Sequence, residues 1–270
     1  MSRHSGISGS GRAELGLIVG RGRRIVSVAD VAATLQINSV DAAKRLARWA
    51  KEGWLRRVQR GLYIPVPLDA ENPATWSEDP LILADAVWNP CYFTGWTAAN
   101  HWGLTEQIFH TTVLKTSGRV RSVRARLLDH QYLLAHAAPE LMVWGMRNVW
   151  REERKVLMAD PARTAIDILD NPQLGGGIRH CADVLARYLD EHDPSTLIEY
   201  GERLSNRAVF KRLGYVVEIA GLKDGKLLME CRKRISAGIS LLDPSAPFGG
   251  ERIGKWGLRA NAQVARPDHS

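Results

Sequence analysis

The sequence is poor in several things that whole function classes require. Its 270 residues include three cysteines, Cys91, Cys181 and Cys231, odd in number and far apart. That excludes a disulfide framework and a CxxC metal site, and leaves three small buried hydrophobes as the expectation. No apolar run approaches the roughly 18 residues of a membrane helix; residues 15–19 make only a short patch. The first residues carry Gly and Ser but not the basic, apolar, small-residue order of a secretory signal, so a soluble, cytoplasmic chain is expected.

Catalytic signatures are scarce as well. There is no phosphate loop, GxSxG elbow, HExxH or paired-carboxylate pattern, and Gly175-Gly176-Gly177 is not followed by Lys-Ser or Lys-Thr. His130 and His136 are spaced so that they share no helix face and align with no other ligands. Asp129 followed by Glu153-Arg154-Lys155 loosely imitates the acid and Glu-x-Lys spacing of metal-dependent nucleases. A nuclease or DNA-modifying enzyme targeted by its N-terminal domain is therefore the alternative reading. The main reading has no catalytic residue, no metal and no cofactor.

What the sequence has is charge gathered at one end. The formal net charge is +8, with 37 Lys and Arg against 29 Asp and Glu. Residues 1–67 hold twelve of the bases and only Glu14, Asp30, Asp41 and Glu52 as acids, so the remaining residues are neutral overall. A small basic module on a balanced body suits a polyanion-binding attachment, because phosphate neutralisation supplies most of non-specific nucleic-acid affinity.

The expected organisation is α+β: a disordered tail (1–11), a winged helix-turn-helix domain (12–68), a linker (69–79), and a larger mixed α/β domain (80–270) with a helical C-terminal half. The tail is Gly/Ser-rich, and a first helix over 12–20 should bury Leu15, Leu17, Ile18 and Val19. After a short strand at 25–28, Ser27 with Asp30 and Asn38 with Asp41 each offer an N-cap oxygen and a first-turn acid, which starts two helices separated only by Gln36 and Ile37. Ala42, Leu46, Trp49 and Gly53 form a buried stripe at helical period on the second of them. Many such turns have Gly where Gln36 stands, because only Gly takes positive φ without cost. Residues 54–64 then read as a hairpin, the wing, with Leu55, Val58, Leu62 and Ile64 facing inward.

In a winged helix the second helix enters the major groove and the wing crosses the phosphate backbone. Ser39, Val40, Ala43 and Lys44 are placed nearest the bases, and Arg45, Arg48, Arg56, Arg57 and Arg60 on phosphates. The same module could instead serve protein contacts. Arg21-Gly22-Arg23 reads either as a minor-groove hook or as a basic loop. Arg119, Arg121, Arg124 and Arg126 form a second basic cluster that could extend a DNA path, meet an acidic partner or end strands in solvent.

In the larger domain, helices are expected over 80–87, 94–102, 161–169, 178–191, 194–204 and 209–222. Strand-like segments fall at 92–93, 108–115, 123–128, 141–144, 156–158, 239–242 and 255–264.

Several segments together resemble the AbiEi family of type IV antitoxins. They are Arg60-Gly-Leu-Tyr-Ile-Pro65, the stretch 90–104 (PCYFTGWTAANHWGL), the stretch 159–169 (ADPARTAIDIL), Arg212-Leu-Gly-Tyr215, Leu242-Asp-Pro and Trp256-Gly-Leu with Asn261. The resemblance covers roughly residues 12–265. It implies a cytoplasmic transcriptional repressor whose winged helix binds double-stranded DNA in its own promoter. It also implies an antitoxin opposing a nucleotidyltransferase toxin, directly or only functionally, with no membrane partner.

Overall fold

The computed structural model describes residues 9–20, 23–72, 74–222 and 224–264. The chain divides into two compact units, residues 1–87 with 126–131 and residues 88–125 with 132–270.

In the first unit α1 (Gly9–Val19) begins three residues earlier than the sequence suggests, and β1 (Val26–Ser27) follows. The helix turns Ile18 inward, but Leu17 is 67% exposed and so does not join the core as expected. The Ser27 hydroxyl accepts the Asp30 N–H while the Asp30 carboxylate accepts the Ser27 N–H, a capping box that starts α2 (Val28–Leu35). Asn38 accepts the Asp41 N–H at 2.9 Å and starts α3 (Ser39–Lys51).

The turn between them is made without glycine. Gln36 takes the left-handed conformation itself, at φ 53° and ψ 44°. Its N–H and that of Ile37 both reach the Ala32 carbonyl, so the chain turns within two residues and Ile37 packs back on the core.

The α3 stripe is buried as Ala42, Leu46 and Trp49, each fully enclosed. Gly53 is not its fourth member. It lies past the helix end at φ 86°, where a glycine stops the helix while the Trp54 N–H reaches back to the Trp49 carbonyl.

β2 (Leu55–Gln59) and β3 (Leu62–Pro65) form the wing and join β1 in the order β1-β3-β2. A register shift between Arg57 and Gln59 breaks the expected alternation, so Leu55, Tyr63 and Ile64 are buried while Val58 and Leu62 are half-buried. The element order of this unit is that of a winged helix. α4 (Pro80–Trp88) follows after the stretch 69–79.

The second unit is mixed. Its strands and first helix run β4 (Cys91–Phe93), α5 (Gly95–His101), β5 (Thr111–Thr116), β6 (Arg124–Leu127), β7 (His130–His136), β8 (Met146–Arg151) and β9 (Arg154–Ala159), residues 126–131 of β6 and β7 being grouped with the first unit. The sheet order is β6-β7-β5-β4-β9-β8, with β4 parallel to β9 and antiparallel to β5. Then come α6 (Pro161–Asp170), α7 (Ile178–Glu191), α8 (Ser195–Arg203), α9 (Ala208–Ile219) and α10 (Gly225–Arg234). A small sheet closes the unit in the order β10-β12-β11, from β10 (Ser240–Leu241), β11 (Glu251–Ile253) and β12 (Leu258–Ala260).

Several elements depart from the sequence reading. Residues 141–144, expected as a strand, fall at a 3-10 turn over Pro139–Met142 and the loop after it, and β7, β8, α10 and β11 lie in segments where no element is expected. α6 is the core helix, with every side chain from Ala162 to Leu169 buried. The quoted Arg212-Leu-Gly-Tyr215 motif has a packing reason. A Cβ on Gly214 would come within 2.1 Å of the Trp256 ring, so only glycine lets that ring lie on α9.

Candidate nucleic-acid interface

α3 presents to solvent the side opposite its buried stripe. Val40, Lys44, Ala47, Arg48 and Lys51 are exposed there and Ala43 is half-buried, at the three- and four-residue spacings of one helix face. The cations project from a surface otherwise made of short side chains. Such a surface can approach a groove closely and offers methyl groups to thymine, while the cations reach outward to phosphates.

Val40 is 61% exposed, a large apolar side chain left in water at the start of the helix. Ser39 is beside it, at a helix start where Asn38 already accepts the Asp41 N–H. Ala47 is the member of this face that the sequence reading did not single out. Its signal was its place three residues beyond Lys44 and one short of Arg48.

The cations named from sequence do not all remain available. Lys44 is 74% exposed, with Asp41 at 3.6 Å, and Arg48 is 55% exposed, with Glu52 at the limit of an ion pair at 4.0 Å. Arg57 and Arg60 are exposed on the wing, and the Arg57 Nε donates to the Gln59 carbonyl at 3.3 Å. Gly61 closes the wing turn at φ 78°.

Arg45 and Arg56 are held within the protein. Arg45 is bonded to Glu14 of α1 and is only partly exposed. Arg56 donates to the Trp76 carbonyl at 2.6 Å and twice to Asp129 at 3.1 Å, its side chain 20% exposed. The charge count of the strand does not reveal this, because Trp76 and Asp129 are distant in sequence. Of the Arg21-Gly22-Arg23 segment, Arg21 and Gly22 lie outside the described residues, and Arg23 pairs with Asp30 at 2.7 Å.

The residues considered for metal chemistry are engaged differently. Asp129 serves Arg56 and lies 3.6 Å from Arg126, and Glu153 is exposed in the turn between β8 and β9. The His130 ring meets the Glu78 carbonyl at 3.1 Å. Among the described residues no group of three or more His, Cys, Asp and Glu is placed to hold a metal ion. All three cysteines are buried and none is in a disulfide. Burial pushes the Cys231 thiol up to about 12 and raises Cys181 further, so both are protonated and inert at neutral pH.

The most concentrated buried charge lies in the second unit. Asp167, fully buried on α6, accepts from Tyr92 Oη at 3.0 Å, Thr94 Oγ1 at 2.7 Å, Lys115 Nζ at 2.9 Å and Arg163 Nε at 3.1 Å. Arg163 also stacks 3.6 Å above the Trp144 ring. Burial alone would push the Asp167 carboxyl up, but the Lys115 and Arg163 cations hold it below the ordinary carboxylate range. Lys115 is likewise kept charged against burial by Asp167. Among the described residues the partners of the Asp167 carboxylate are side chains of this unit, so the cluster joins α6 to β4 and β5.

No curated protein matches the sequence. The crystal structure of the RV2827C protein from Mycobacterium tuberculosis shares the fold, with a TM-score of 0.65 over 95% of this chain and 92% of that one. At 13% identity the likeness is one of fold alone. The segment that carries β1, α2, α3 and the wing goes further: residues 18–66 match the family described as transcriptional regulator, AbiEi antitoxin.

Proposed function

We propose that the protein is a sequence-specific DNA-binding repressor that occupies its own promoter and acts as the antitoxin of a type IV toxin–antitoxin operon, opposing a nucleotidyltransferase toxin without chemistry or cofactor of its own. The observation that carries the reading is the solvent face of α3, where Lys44, Arg48 and Lys51 stand exposed among Val40, Ala43 and Ala47. It lies within the segment that matches the regulator family. On this reading Ser39, Val40, Ala43 and Lys44 face base edges, Arg48, Arg57 and Arg60 hold phosphates, and occlusion of the promoter from polymerase represses the operon.

Arg45 and Arg56, whose partners are internal, act by positioning α1 and the wing. Footprinting on the upstream region of the chain's own gene tests the reading. Protection of a discrete site there, absent from a shuffled fragment, is expected; uniform weak protection of both would overturn the sequence-specific part. Co-expression with the adjacent reading frame tests the antitoxin role, and relief of growth arrest is the expected result.

A further inference from the structure

We propose that the loop at residues 117–124 of the second unit is an additional phosphate-binding element, contributing Arg119, Arg121 and Arg124 to the grip on nucleic acid. This rests on the DNA-binding reading above and extends it to a part of the chain that the family match does not reach.

The loop joins β5 to β6 and lies in a stretch, 107–128, that holds no Asp or Glu at all. That absence falls within residues 68–270, whose charges balance only when taken together. Arg119, Arg121 and Arg124 are all exposed, and among the described residues none has a carboxylate within 4.0 Å. Three helical arginines of the same unit, Arg187, Arg203 and Arg234, behave differently. Arg187 meets Glu191 at 3.1 Å, Arg203 meets Glu199 at 2.7 Å and Arg234 meets Glu230 at 2.5 Å, each one turn away.

The backbone beneath the three arginines is tied down. The Gly118 N–H donates to Thr116 Oγ1 at 3.0 Å, and that hydroxyl is itself bonded to the Trp88 and Pro90 carbonyls. The Ser122 hydroxyl donates to the Arg124 carbonyl at 2.6 Å, and the Leu134 N–H of β7 donates to the Val123 carbonyl at 2.8 Å. Three cations presented from a fixed backbone lose less entropy on binding than cations on a free tail.

A guanidinium fork matches the paired oxygens of a phosphate and keeps its charge at any working pH. A protein partner would require an apolar centre to desolvate. The loop offers only Val123, half exposed, as a large exposed hydrophobic. Sequence discrimination is not expected from it, since backbone contacts position without reading bases.

The test measures binding of the full-length chain to a labelled mixed-sequence duplex over a range of salt concentrations. It compares the wild type with R119A/R121A/R124A, with the charge-retaining R119K/R121K/R124K, and with A47E on α3. The alanine variant should lose about two to three units of the salt slope, at about 0.9 per lost phosphate contact, with the lysine variant close to wild type. Its thermal unfolding should match the wild type, because among the described residues none of the three arginines is paired with a carboxylate. A wild-type slope in the alanine variant, with A47E impaired, would overturn this inference and leave α3 as the DNA reader. Wild-type binding by both variants would overturn the DNA-binding reading and this inference together. Unchanged duplex binding with lost binding to polyglutamate would assign the loop to an acidic protein surface and equally overturn the proposal.

Discussion

Two residues show how much a single side chain settles. Gln36 carries the helix-turn-helix on a left-handed backbone that favours glycine, and a non-glycine residue there costs about 1–2 kcal/mol. Gln36→Gly should therefore raise the unfolding free energy by up to about 1 kcal/mol, less whatever glycine loses in the unfolded chain, measured by urea denaturation. Asp167 is the opposite case, an anion whose removal strands two buried cations. Asp167→Asn should cost about 3–5 kcal/mol.

The pH dependence follows from the direction of its shift. The folded carboxyl is held below its unfolded value, so its contribution is complete above the ordinary carboxylate range and is lost as pH falls through the lowered folded value. The groups facing it are Lys115, Arg163 and Tyr92, with Asp170 3.6 Å from Lys115. Acid denaturation of the wild type should lose this contribution at the low end of the pH range, while the Asn variant shows a flatter profile there.

At the scale of elements, local chemistry was legible in the sequence and long-range pairing was not. The caps at Ser27 and Asn38 and the stripe Ala42, Leu46 and Trp49 act within one or two turns, and the helices they imply are both present. The strands β7 and β8 were missed or blurred because His130–His136 and Met146–Arg151 lack clean alternation, being chosen by partners rather than by their own pattern. α10 follows the same logic, with only Leu227 and Cys231 of its residues buried.

The interface was half legible for the same reason. Periodicity located the exposed face of α3, but the partners Glu14, Trp76 and Asp129 that engage Arg45 and Arg56 lie far away in sequence. The Arg45–Glu14 pair makes a prediction about affinity. Glu14→Gln removes one anion from the unit and releases Arg45, so duplex binding should tighten and the salt slope should steepen by up to about 0.9. Fluorescence anisotropy at several salt concentrations reads both, and unchanged binding would show that Arg45 does not reach DNA even when free.

The whole molecule carries a basic winged helix, residues 1–67, whose α3 shows an exposed cationic face, attached to a larger unit with one locally basic loop. Solvent exposure decides which of these cations can bind, because a cation held inside the protein by several partners, as Arg56 is, has little left to offer a phosphate. The decisive comparison is the salt dependence of duplex binding by the wild type and by Lys44→Ala/Arg48→Ala, both positions being exposed and peripheral to the core. The account predicts a fall of about two units in slope and weaker binding to every duplex, at unchanged stability. An identical slope in the two proteins would contradict it.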